Sequence, residues 1–145
     1  MTIVIGNDHA GKELKFDIIT YLQSKEFEVI NVGTDDDISV DYPDYASKVA
    51  TYVLDKKADL GILICGTGIG MNIAANKFKG IRAANIYDKQ TARLAKEHNF
   101  ANVITFGART HVKEQVFHLL DTFMMTEFES RHQKRIDKIN EIEGI

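Results

Sequence analysis

Along the chain, short runs of consecutive apolar residues alternate with longer stretches in which apolar residues recur every three or four positions. The runs fall at residues 2–6, 27–32, 59–64, 81–86 and 102–106. A strand with one wet face would alternate apolar and polar side chains, so these runs predict strands covered on both faces, as in a parallel sheet. The stretches between them, near residues 12–25, 45–56, 70–77 and 89–98, predict helices. Strand and helix in alternation, joined by right-handed crossovers, predict an α/β fold: a doubly wound, Rossmann-like sheet of five parallel strands. No repeat, low-complexity stretch or linker composition interrupts the pattern, so residues 1–145 are expected to form a single domain.

Two segments follow the last strand, near residues 111–125 and 129–143. The second places Ile136, Ile139 and Ile142 on one stripe and Arg131, Arg135 and Lys138 on another. A solvated face is the ordinary fate of such a cationic row. An isoleucine stripe added after the sheet is complete points instead to an extra C-terminal helix that packs on a partner subunit.

Composition narrows the function. With 145 residues and a net charge of −3, the chain offers no general footprint for nucleic acid. No apolar run approaches the ~20 residues that a membrane span needs. The opening Met1-Thr2-Ile3-Val4-Ile5-Gly6 lacks the basic region and cleavage site of a secretion signal, and one cysteine excludes an internal disulfide. A cytoplasmic protein with no nucleic-acid or membrane partner is expected.

In open α/β sheets, ligands bind beyond the carboxyl ends of the strands. Asn7, Asp8 and His9 follow the first run, Asp41 to Tyr45 lie after the second, and Tyr87 and Asp88 follow the fourth. Gly107, Ala108 and Arg109 follow the fifth. His98 and Asn99, which end a helix just before the fifth run, are grouped with them at the same edge. The third run ends in Cys65-Gly66-Thr67-Gly68-Ile69-Gly70. Such a turn converges backbone N–H groups where a helix begins, which suits an anion or a developing oxyanion. Its glycines do not match a dinucleotide fingerprint, and Lys77 is too distant for a phosphate loop.

A lone cysteine is commonly a small core hydrophobe. Cys65, however, stands at the end of a strand and just before a helix N-terminus, an environment that favours thiolate chemistry. Thr67, two residues on, is within reach to hydrogen-bond it. Asp8 reads either as a helix cap or as a functional carboxylate, and His98 either as a helix C-terminal cap or as an acid–base group. His111, His118 and His132 show no ligand spacing. No metal site and no cofactor are expected.

The segments "GNDHAG", "DYPDYA", "GILICGTGIGMNIAANKFKGIRAA", "KEHNFANVITFGAR" and "RHQKRI" occur in this order. On these motifs the chain resembles the B-type ribose-5-phosphate isomerases of the RpiB/LacA/LacB sugar-phosphate isomerase family, from Gly6 to Ile136. The resemblance implies metal-free interconversion of ribose 5-phosphate and ribulose 5-phosphate through an enediol. It implies Cys65 as the base that moves the proton, Thr67 orienting it, and the backbone of Gly66, Gly68, Ile69 and Gly70 holding the enediolate. It implies His98 as the group that opens the sugar ring, assisted by Asp8, with Asn99 hydrogen-bonding the sugar and Tyr42 lining the pocket. His9, Arg109, Arg131 and Arg135 are the implied phosphate and substrate contacts. The resemblance also implies a homodimer or dimer of dimers, with active sites shared through the arginine-bearing helix. Where the family often has two glycines before the Arg-His-Gln motif, this chain has Glu129-Ser130. The alternatives are an isomerase of a six-carbon sugar phosphate such as allose 6-phosphate or galactose 6-phosphate, a nucleotide-binding module, and a thiol redox protein.

Overall fold

The computed structural model describes residues 1–145. Five strands form one parallel sheet: β1 (Thr2–Asn7), β2 (Glu28–Asn31), β3 (Leu60–Cys65), β4 (Ala83–Asn85) and β5 (Val103–Gly107), in the order β2-β1-β3-β5-β4. The helices are α1 (Lys12–Ser24), α2 (Tyr42–Leu54), α3 (Ile69–Ala75), α4 (Lys89–Glu97), α5 (Lys113–Met125) and α6 (Gln133–Glu143). Right-handed crossovers decide where they go. α1 and α4 lead the chain one way across the sheet and cover one face; α2 and α3 lead it the other way and cover the opposite face. α5 follows β5 onto the face of α1 and α4.

The consecutive apolar positions are thereby explained. Ile3, Ile5, Ile62 and Ile64 enter the core under α1, α4 and α5, while Val4, Leu63 and Cys65 enter the core under α2 and α3. Gly6 and Gly61 let α2 sit close to its face. A Cβ on Gly6 would lie 2.8 Å from Val49 Cγ2, and one on Gly61 would lie 2.6 Å from Val49 Cγ1.

The ends of the elements differ from the sequence pattern in instructive places. α2 starts three residues before the expected start, because Pro43 fits the first helical turn, where its missing N–H costs nothing. β4 keeps only three of the six expected residues, and it lies at the edge of the sheet. Its outer side is not open: the Asn76 side chain accepts from Ala83 N–H (2.8 Å) and donates to Ala83 C=O (2.9 Å). The terminal segment divides into a 3-10 turn (Ser130–His132) and α6, so Arg131 lies before the helix that bears Arg135 and Lys138. Of the isoleucine stripe, Ile136 is buried on this chain's own body, while Ile142 is 86% exposed. Glu143 accepts from Gly80 N–H at 3.2 Å and fixes the far end of α6.

Replacing Gly61 with alanine should force α2 away from the sheet and lower unfolding stability by about 1–3 kcal/mol, the usual cost of overpacking a tight core. Urea midpoints of the two proteins measure it; equal midpoints would mean that α2 shifts freely.

Candidate active site

Strand β3 lies between β1 and β5, and its carboxyl end runs into a turn that each glycine makes possible in a different way. At Gly68 the backbone is left-handed (φ 83°), and a Cβ would lie 2.9 Å from the Phe106 carbonyl carbon. A Cβ on Gly70 would lie 2.8 Å from the Tyr42 ring, and one on Gly66 would lie 3.1 Å from an Arg109 guanidinium nitrogen. The absent side chains leave room for the tyrosine and the arginine to close over the turn. The loop after β5 is stitched to it, with Ala108 N–H donating to Cys65 C=O and Arg109 N–H to Gly66 C=O, both at 2.9 Å.

The Cys65 thiol is 6% exposed and accepts from Gly68 N–H at 3.1 Å. The expected bond from Thr67 to the thiol is not the one formed: the Thr67 hydroxyl accepts from Ile69 N–H at 3.2 Å. The left-handed residue turns its own amide back toward the sulfur and takes that position. The N–H groups of Gly66, Thr67 and Gly70 have no partner within the chain. Free amides, a thiol and the Arg109 cation therefore converge at one strand end, an arrangement suited to stabilising negative charge.

Asp8 and His9 complete this edge. Asp8 N–H donates to Ile64 C=O (3.1 Å), which holds the end of β1 beside the end of β3. One Asp8 carboxylate oxygen caps a 3-10 turn (His9–Gly11) by accepting from Ala10 N–H at 3.0 Å. His9 Nδ1 accepts from Val40 N–H at 3.2 Å, so the neutral ring carries its proton on Nε2.

Lys15, which the sequence reading passed over, holds the intervening loop. Its side chain is fully buried, and its ammonium donates to Thr34 C=O and pairs with Asp35. That hydrogen bond, then one from Asn31, holds the Asp35 carboxyl below its ordinary range. Asn7 donates to the same Thr34 carbonyl. The loop that delivers Tyr42 is thus anchored at both ends, by Lys15 and by His9. The signal was present in the sequence: Lys15 shares a helical stripe with Ile18 and Leu22, where a lysine must be paired to be tolerated.

His98 and Asn99 do not join this cluster, which corrects their grouping at the carboxyl edge. α4 runs antiparallel to the strands, so its C-terminal end returns the chain to the amino edge of the sheet. There His98 stacks on His132 with ring centroids 4.1 Å apart, and its Nε2 lies 3.3 Å from Glu97 Oε1. Glu129 N–H donates to Glu97 C=O, which docks the final segment beside α4. Arg131 pairs with Glu129 at 2.6 Å, and Arg135 lies 3.5 Å from His132 Nδ1. The predicted residues therefore form two separate groups. Cys65, Thr67, the glycine turn, Asp8, His9, Tyr42 and Arg109 occupy the carboxyl edge; His98, Asn99, Arg131 and Arg135 occupy the amino side.

The fold also brings ligand atoms of Glu97, His98 and Glu129 within 4.8 Å of one another, a grouping that the sequence spacing does not reveal. Arg93 already binds Glu97 and Arg131 binds Glu129, so two fixed cations oppose a metal ion there.

A family model described as Ribose/Galactose Isomerase matches residues 3–139, and the chain belongs to this family. It is 44% identical to ribose-5-phosphate isomerase B of Escherichia coli over 142 residues, covering 97% of this chain and 95% of that protein. The structure of ribose-5-phosphate isomerase B from Clostridium thermocellum superimposes with a TM-score of 0.97 at 46% identity, covering 99% of this chain and 98% of the other. That of the Mycoplasma genitalium ribose-5-phosphate isomerase B, solved with bound ribulose-5-phosphate, gives 0.93 at 42% identity, covering 99% and 96%.

Burial, then the positive charges of Arg131, His98 and Arg135, push the pKa of His132 below its ordinary 6.5, with Glu129 opposing. The unfolded chain then binds this proton more readily than the folded one. Stability should fall as the pH drops below 6.5 toward the folded value, and His132→Gln should remove that part of the slope. Urea midpoints across that interval test it; an unchanged slope would assign the acid sensitivity to other groups.

Proposed function

We propose that this member of the Ribose/Galactose Isomerase family interconverts ribose 5-phosphate and ribulose 5-phosphate through an enediolate, with Cys65 as the base and without a metal or cofactor. The observation behind this reading is the Cys65 sulfur at the end of β3, next to a glycine turn with free N–H groups. A thiolate takes the proton from C2 of the open-chain aldose as the C1–C2 double bond forms. The former carbonyl oxygen gains the negative charge, and the turn's amides stabilise it. A proton moves between the two oxygens, and the sulfur returns its proton to C1. One proton changes carbon and nothing is oxidised from outside. Asp8 and Thr67 assist at this edge, while Tyr42 packs over the turn and Arg109 and His9 take up the substrate's anionic groups.

His98 opens the furanose ring, Asn99 holds the sugar, and Arg131 and Arg135 bind the phosphate with charged planar forks. Because these four stand on the amino side of the sheet, they serve the thiol of a second copy. The functional unit is a homodimer, or a dimer of dimers, with each active site shared between subunits. α6, whose outer isoleucines remain exposed, supplies part of that contact. No helix is long and apolar enough to cross a membrane, and a working free thiol suits the reducing cytoplasm.

Cys65→Ala should reduce exchange of solvent deuterium into the substrate by about 10²–10⁴-fold, the usual contribution of a positioned base, while sugar-phosphate binding is largely kept. Near-normal exchange in a folded variant would remove Cys65 from that role.

The shared site has its own test. Cys65→Ala and Arg135→Ala variants, each inactive alone, are unfolded, mixed and refolded together. In a hybrid dimer one site collects both lesions and the other collects none. Random pairing makes about half the dimers hybrids with one intact site of two, so ~25% of normal activity should return. Confirmed hybrids that stay inactive while the unmutated protein refolds well would place thiol and arginine in the same chain's site.

A further inference from the structure

A cleft of about 470 Å³ opens at the amino edge of the sheet, at the opposite end of β3 from the thiol. Its walls include Lys56, Arg82, Lys96 and Phe100, with Phe123 and Leu60 among its apolar lining. The cations are not paired: no carboxylate lies within 4.0 Å of Lys56, Arg82 or Lys96. The one acidic wall residue, Asp59, is already engaged by Thr2 N–H at 2.8 Å. Arg82 and Lys96 are half-buried, and burial lowers the pKa of both, with Glu143 opposing the shift at Arg82. Keeping two partly desolvated cations in the walls of one cleft, with only Glu143 acting on one of them, is costly.

Their placement is also specific. The Arg82 guanidinium and the Lys96 ammonium each lie 6.0 Å from the centre of the Phe100 ring, and the ammonium lies 4.8 Å from that of Phe123. Arg82 donates through Nε and one terminal nitrogen to the carbonyls of Asn99 and Phe100, which orients its fork and leaves the other terminal nitrogen free. Phe100 holds its ring there with a left-handed backbone (φ 45°), a conformation uncommon for a bulky side chain. Phe128 stacks on that ring at 4.6 Å. Two cations with free donors flank an aromatic surface that is 43% exposed.

We propose that this cleft is a second anion site, separate from the glycine turn, that takes a phosphate monoester with an aromatic body. The phosphate meets Lys96 and the free nitrogen of Arg82, and the aromatic body lies along Phe100. Lys56 at the rim adds a third positive charge. The geometry fits the two parts of a nucleoside monophosphate better than a bare sugar phosphate, which would leave the ring uncovered.

The test is an amide-resolved NMR titration of the protein with adenosine 5′-monophosphate, inorganic phosphate and adenosine in parallel. Saturable shifts at the amides of Lys96, Phe100 and Ala101 should appear with the monophosphate, more weakly with phosphate, and least with adenosine. Lys96→Met, which replaces the cation by an apolar side chain suited to its half-buried position, should weaken monophosphate binding at these amides by about tenfold or more. Turnover should be unchanged. Shifts confined to the amides of residues 66–70, or equal binding by the Lys96→Met protein, would overturn the proposal. Adenosine binding as tightly as its monophosphate would also overturn it, because the cations would then play no part.

Discussion

The position of β3 between β1 and β5 constrains most of what surrounds it. Every residue of this strand is buried, so each side chain must fit a helix-covered face, and its carboxyl end opens directly into the glycine turn. Neighbouring strand ends are tied to it by backbone bonds: Asp8 N–H to Ile64 C=O on one side, Ala108 N–H to Cys65 C=O on the other. Asp8, the thiol and Arg109 come from distant parts of the chain. They converge because parallel strands in register end together.

Around that strand end, the missing Cβ atoms are as informative as the side chains present. Gly66, Gly68 and Gly70 each give way to a different neighbour, Arg109, the backbone of β5 and the Tyr42 ring. Alanine at any of them would displace a group of the site rather than merely tighten a loop. The turn is therefore an assembly surface for three other segments as well as a cradle of amides. The buried Lys15–Thr34–Asn7 network serves the same purpose from behind, holding the loop whose far end delivers Tyr42.

How much of this could be read from the chain depended on the range of the interaction. The five strands and their two covered faces were legible because burial on both sides leaves consecutive apolar residues, as in Leu60 to Ile64. The turn after Cys65 was legible because its chemistry is local. The edge occupied by His98 was not read correctly, because proximity in sequence to β5 says nothing about which end of β5 is meant; the antiparallel course of α4 decides that. Lys15 was passed over, although it shares an apolar stripe with Ile18 and Leu22. The contact between Glu97, His98 and Glu129 depends on the docking of the last segment, which no local pattern encodes. The Thr67–Cys65 bond was within reach by spacing, but the left-handed Gly68 amide competes for the same sulfur and takes it.

The Asn76 amide on the outer side of β4 has a consequence for how copies of this chain meet. By occupying both backbone groups of Ala83, it removes a point at which a foreign strand could start to pair. Growth of the sheet from one molecule into the next is thus disfavoured at this margin. In the proposed dimer, contact between copies falls to side chains on helices and turns, which can be matched as a closed pair but offer no repeating ladder. One amide thereby blunts the β4 edge against strand addition.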